Sequence, residues 1–184
     1  MEIISDKIML TKHFDSDEFA CNCGKIYIDE TFVKRLEKFY EKVNSVVPLK
    51  AVIINSGYRC NKCSTSIKGA FIGDMHNKGA AADLHAIDTN GNKVDSIVLC
   101  EAAQLCGFGG IAVITAYDIH VDDRQRDDVN YTNRQWYGNE SLGINYTTFI
   151  GKSKYTKQLN AKANQKYFEI MIDDHKYSGL LEEL

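Results

Sequence analysis

Four short apolar runs, interleaved with two amphipathic helical stretches, constrain this chain more than anything else in its 184 residues. AVIIN (51–55), AADLHAID (81–88), IAVIT (111–115) and YDIHVD (117–122) are of strand length, and the first two close on the turn signals SG and TNGN. Residues 29–44, DETFVKRLEKFYEKVN, carry Phe32, Val33, Leu36, Phe39, Tyr40 and Val43 on one helical stripe, with Asp29 placed to cap the start. Residues 96–106, SIVLCEAAQLC, form a second helical stretch, with Asp95 before it and Gly107 after it as caps. The runs at 111–115 and 117–122 are close enough to be hairpin partners. The expected fold is α+β: a small, mostly antiparallel sheet with flanking helices.

Length permits one compact core and little more. Beyond about residue 125 the sequence turns polar and turn-rich, and KYFEIMIDDHKYSGLLEEL then alternates around Asp173-Asp174 in the manner of a β-hairpin. We therefore expect residues 1–124 to form the main, catalytic domain. Residues 125–184 are expected to be a C-terminal extension, part of the same domain or a small appendage. The net charge of -3 lacks the basic footprint of a nucleic-acid binder. No window approaches eighteen unbroken apolar residues, so no membrane span is expected. The N-terminus has no basic start followed by an apolar run, so synthesis in the cytoplasm without a signal peptide is expected.

Two of the five histidines, His76 and His120, keep suggestive company. His76 precedes Asp83 by seven residues, with Gly79 and Ala80–Ala82 between them to let the backbone pass close under a metal site. In DIHVDD, strand alternation puts Asp118, His120 and Asp122 on one face. A catalytic zinc takes three ligands from this mixture of imidazole and carboxylate and keeps a position for water, whose pKa it lowers. His85 shares a strand face with Asp83, and its readings are a further polar group of the cleft, a ligand, a support to a ligand, or a histidine satisfied in the core. Neither His13 nor His175 has supporting neighbours.

In order, NSGYRC (55–60), HNKGAAADLH (76–85) and YDIHVDDR (117–124), with the opening LTKHFDSDEFACNCG, resemble the zinc D-alanyl-D-alanine carboxypeptidase family, which includes phage endolysins that cut peptidoglycan stem peptides. The resemblance covers roughly residues 10–124. It implies a zinc metallopeptidase with His76, Asp83 and His120 as metal ligands. It also implies that Arg59 steadies the substrate carbonyl as charge develops on it. Many relatives carry an acidic residue three positions before the last histidine, where this chain has Tyr117. Asp118 is then the expected general base and Asp122 the alternative, with a role in orienting His120 or Arg124 as its other reading.

The expected function is hydrolysis of an amide bond in peptidoglycan peptides, after release from the cell in which the protein is made. The rival readings are a cell-wall-binding module without catalysis, a virion component on the same fold, and a cytosolic D,D-dipeptidase. Cys21, Cys23, Cys60 and Cys63 leave three options open: a four-thiolate metal site, disulfides, or free thiols. Cys100 and Cys106 fall on the second helix among apolar residues and are expected in the core.

Overall fold

The computed structural model describes residues 7–67, 70, 72–124 and 136–160. The hairpin expected around Asp173-Asp174 lies outside the described residues. After an arm with a short 3-10 turn at Asp17–Phe19, the elements run α1 (Glu30–Asn44), β1 (Leu49–Ser56), α2 (Asn61–Ser64), β2 (Ala81–Asp88), α3 (Ser96–Leu105), β3 (Gly110–Val113), β4 (Ile119–Asp122), β5 (Trp136–Asn139) and β6 (Ile144–Asn145).

Both long helices begin where carboxylates can satisfy their free amides. Asp29 accepts from Phe32 N at 3.0 Å, and Asp95 accepts from Ile97 N at 2.8 Å. The buried side chains of α1 are Phe32, Val33, Leu36, Phe39, Tyr40 and Val43, the stripe expected from periodicity. After α3 the chain reverses at Gly107, whose φ of +84° is the left-handed conformation that ends many helices.

The strands form one sheet in the order β1-β2-β4-β3-β5-β6. Every neighbouring pair is antiparallel except β3 with β5. The expected hairpin of β3 and β4 is present, with Val113 opposite Ile119. Alternation divides each strand between two faces. Leu84 and Ala86 of β2, Ile119 and Val121 of β4, and Ile111 and Val113 of β3 join α1, α3 and Phe108 in one apolar core. Asp83 and His85, His120 and Asp122 take the alternate positions, on the face away from the helices.

Residues 136–160 belong to this same core. Trp136–Asn139 adds to the β3 edge, and Phe149 and Leu159 are fully buried. The side chain of Gln104 on α3 accepts from Phe149 N at 2.6 Å. Glu101 on α3 accepts from Gly151 N and Ser153 N, each at 2.9 Å. Glu101 is fully buried, yet its carboxyl stays below the usual range: burial pushes it up, and the hydrogen bonds from Ser153, Gly151 and Thr156 outweigh that push.

Phe149 also packs its ring against Tyr137 and Tyr146. Truncating it to alanine should cost about 3–5 kcal/mol. Urea unfolding should remain a single transition at a lower midpoint, because the segment carrying it is not a separate unit.

Candidate metal centre

Register brings the first two candidate ligands together. Asp83 of β2 is paired directly with His120 of β4, so both side chains leave the sheet on the same face. The His120 Nδ1 lies 2.8 Å from Asp83 Oδ1. His76 arrives from the loop before β2, with its Nε2 3.5 Å from the same oxygen. One donor atom from each of the three residues lies within 4.8 Å of the others. A tetrahedral zinc with bonds of about 2.0–2.1 Å needs such donors about 3.3 Å apart. The observed 2.8 and 3.5 Å bracket that spacing, so the residues fit the ion.

The remaining ring nitrogens are tied, which decides how each imidazole faces the centre. His76 Nδ1 lies 2.7 Å from the Gly57 carbonyl oxygen. A carbonyl only accepts, so Nδ1 carries the proton and Nε2 offers its lone pair. His120 Nε2 lies 3.0 Å from Asp122 Oδ2, so this nitrogen donates and Nδ1 faces the centre. Asp122 is fully buried, and its carboxylate also accepts from Arg124 Nε at 2.8 Å. Carboxylate–histidine pairs of this kind orient metal-bound imidazoles and raise their basicity.

Glycines make room for these supports. A β-carbon on Gly110 would stand 2.3 Å from Asp122 Oδ2, so the GFGG run (107–110) is a cradle for the buried carboxylate. At Gly79, φ is +65° and a β-carbon would stand 2.5 Å from Tyr27 O. The close approach expected near Gly79 is thus to the Tyr27 backbone.

Electrostatics follow from the packing. Burial acts to raise the Asp83 carboxyl, but hydrogen bonds and charge from His120 and His76 hold it well below the ordinary range. Burial likewise acts to lower His120, and the Asp122 and Asp83 carboxylates overcome it, raising the imidazole to about 10. Asp122 is held low for the reciprocal reason: hydrogen bonds from His120 and Arg124 outweigh its burial.

The other candidate residues make contacts of their own. Arg59 donates from Nη2 to Asp83 Oδ2 at 2.5 Å and from Nε to Ser56 Oγ at 3.0 Å. Asp118 stands two residues before His120, where it accepts from Asn55 Nδ2 at 3.0 Å and from Thr115 Oγ1 at 2.5 Å. His85 Nδ1 and Lys93 Nζ lie 3.4 and 3.8 Å from its carboxylate. Burial raises the Asp118 carboxyl, and the Thr115 hydrogen bond, the Lys93 charge and Asn55 together bring it below its ordinary value. His85 therefore belongs to the Asp118 cluster. Tyr117, beside it, is exposed. His13 has a structural place far from this face, 2.6 Å from Glu37 Oε1 and stacked on Tyr40.

Sequence reasoning missed the Gly57 carbonyl, Asn55, Thr115 and Asn77. Asn77 donates to the Arg59 carbonyl and to Ser64 Oγ, holding the loop of His76 against the loop of Arg59. The only signal in the sequence was proximity: each lies within five residues of a candidate.

The profile of the family described as Peptidase M15 matches residues 12–122. No curated protein and no solved structure matches the chain. The matched segment spans most of the chain and contains all three candidate ligands, and the protein belongs to the peptidase M15 family, whose members are zinc-dependent metallopeptidases.

Two outcomes are expected for zinc binding. In the metal-free protein His120 keeps its proton up to about pH 10, against an ordinary 6.5. That proton stabilises the metal-free fold fully below pH 6.5, and the benefit is lost as pH rises toward 10. Zinc must displace it, so apparent zinc affinity measured by competition with a chromophoric chelator should rise about tenfold per pH unit between pH 7 and 9. Asp122→Asn should weaken zinc by about 10–100-fold without abolishing binding, because it removes the charge behind His120 and leaves the three ligands.

Proposed function

We propose that this M15 peptidase hydrolyses an amide bond in peptidoglycan stem peptides, with zinc held by His76, Asp83 and His120. The observation that carries the reading is the convergence of two imidazole nitrogens and one carboxylate, each imidazole locked through its other nitrogen. Zinc in such a site supplies Lewis acidity that activates water and polarises the scissile carbonyl.

The chain's own groups divide the remaining work. Asp118 is the general base: its carboxylate is ionised at neutral pH and its side chain is partly open to solvent. It takes a proton from the attacking water and returns one to the leaving amine. The rival base, Asp122, has no exposed surface, and both its oxygens are engaged by His120 and Arg124. Its part is to orient His120. Arg59, whose guanidinium pairs with Asp83 beside the centre, steadies the oxyanion that forms on the substrate. Arg59 and Asn55 also line a small hollow, with Glu18, Ser56, Tyr58 and Ile67 among its other walls.

A phage or prophage endolysin acting on the wall after release accounts for this chemistry. A cytosolic D,D-dipeptidase uses the same centre on a smaller substrate. One observation favours a second class, a wall-binding module or virion component without turnover: exposed Tyr117 occupies the position where many relatives carry an acid.

Purified peptidoglycan should release new amino groups in the presence of the protein. A chelator should stop the release and zinc should restore it, with mass spectrometry of the fragments naming the bond. No release from walls of several cross-link types, with zinc bound, excludes the lytic reading. Asp118→Asn should lower turnover by about 10²–10⁴-fold at unchanged zinc content and unchanged wall binding. Equal turnover in that variant removes Asp118 as the base.

A further inference from the structure

The fold brings a second set of metal-ligand side chains together, outside the centre described above. Cys21 and Cys23 lie on the N-terminal arm, and Cys60 and Cys63 flank the start of α2. Their four sulfurs lie within 4.8 Å of one another, and none is in a disulfide. Cys23 Sγ stands 3.6 Å from Cys60 Sγ. A disulfide needs about 2.0 Å, whereas a tetrahedral zinc with Zn–S bonds of about 2.3 Å sets its sulfurs about 3.8 Å apart.

The backbone around the sulfurs is shaped to support thiolates. Cys60 N donates to Cys21 Sγ at 3.4 Å. On the arm, Gly24 N bonds Cys21 O at 2.7 Å and Cys21 N bonds Lys25 O at 2.8 Å, closing a tight knuckle at Gly24, where φ is +82°. Cys60 is the residue before α2, and Ser64 N bonds its carbonyl at 2.9 Å, which turns Cys63 back toward it. Two turns, one from each segment, thus present two sulfurs each to a common centre.

We propose that Cys21, Cys23, Cys60 and Cys63 hold a structural zinc ion as four thiolates. Binding releases the protons of the four thiols and leaves a site of net charge −2. Four sulfur ligands leave no open position, so the site is closed and does no chemistry. Its position gives it a task. It clamps the arm to the segment Gly57–Cys63, which is already joined to the arm by Tyr58 N on Phe19 O at 2.9 Å. That segment carries the Gly57 carbonyl that orients His76 and the guanidinium of Arg59. The assignment does not depend on the substrate or on turnover.

The experiment is metal analysis of the full chain, with Co²⁺ substitution and thiol alkylation as site-specific readouts. The wild-type chain should carry two zinc ions. A His76→Ala/Asp83→Ala chain should keep one. With Co²⁺ that variant should show intense sulfur-to-cobalt charge-transfer absorption, which a histidine–carboxylate site cannot give. In the same folded variant, Cys21, Cys23, Cys60 and Cys63 should resist alkylation until a strong chelator is added. Cys23→Ser/Cys63→Ser should lose this ion and the absorption. If that chain does not fold, the alkylation and cobalt measurements on the His76→Ala/Asp83→Ala chain stand alone. Free alkylation of the four thiols without a chelator, disulfides in the intact mass, or iron in place of zinc each overturns the proposal. Absence of peptidoglycan turnover in the wild-type chain with both zinc ions bound sinks the lytic reading and leaves this one standing.

Discussion

The pairing of Asp83 with His120 across β2 and β4 is the constraint on which the candidate centre depends. A one-residue slip would send both side chains into the apolar core and bring Leu84 and Val121 to the polar face. The slip is opposed from both sides. Leu84, Ile119 and Val121 are fully buried against the helices, and Asp122 finds room only against Gly110. Hydrophobic burial of one face therefore sets the spacing of the candidate metal ligands Asp83 and His120 on the other.

The charges on that face are arranged in layers. Asp83 stands toward the centre and Asp122 behind it, with His120 between the two carboxylates. The cost of burying two carboxylates is offset by the His120 imidazole between them and by Arg59 and Arg124. The same logic explains why the supports of His76 and His120 differ. His76 leans on a neutral carbonyl from Gly57, whereas His120 leans on a charged carboxylate that makes it the stronger donor.

Much of the fold was legible because burial leaves periodic traces. The six residues of the α1 stripe are the six that it buries, and both capping aspartates accept the expected bonds. The alternation of AADLHAID and YDIHVD placed Asp83, His120 and Asp122 on polar faces before any pairing was known. Other parts leave no such trace. Trp136–Asn139 pairs in parallel with β3, and a parallel partner needs no tight turn to announce it. The segment beyond it is anchored by side chains of Glu101 and Gln104 on α3, whose buried carboxylate and amide look in the sequence like ordinary helix polarity. The Gly57 carbonyl is a backbone group, which no residue type spells. The cysteine spacing left three chemistries open, because pairing depends on distances between segments that only the fold supplies.

Those distances also show how one short stretch serves two purposes. Residues 55–63 contribute the Asn55 contact to Asp118, the Gly57 carbonyl to His76 and the Arg59 guanidinium to Asp83, and they end in the two cysteines that face the arm. Beyond the end of β1 no sheet hydrogen bonds hold this stretch. It is fixed instead by Tyr58 N on Phe19 O, by Asn77 on the Arg59 carbonyl, and by Gly57 lying so close to Phe19 that a β-carbon would stand 2.6 Å from its Cα. Of the candidate ligands, Asp83 and His120 sit on paired strands, whereas His76, like Arg59, comes from a loop that must be fixed by other means. Anchoring the stretch at both ends holds the Gly57 carbonyl against His76 and the Arg59 guanidinium against Asp83.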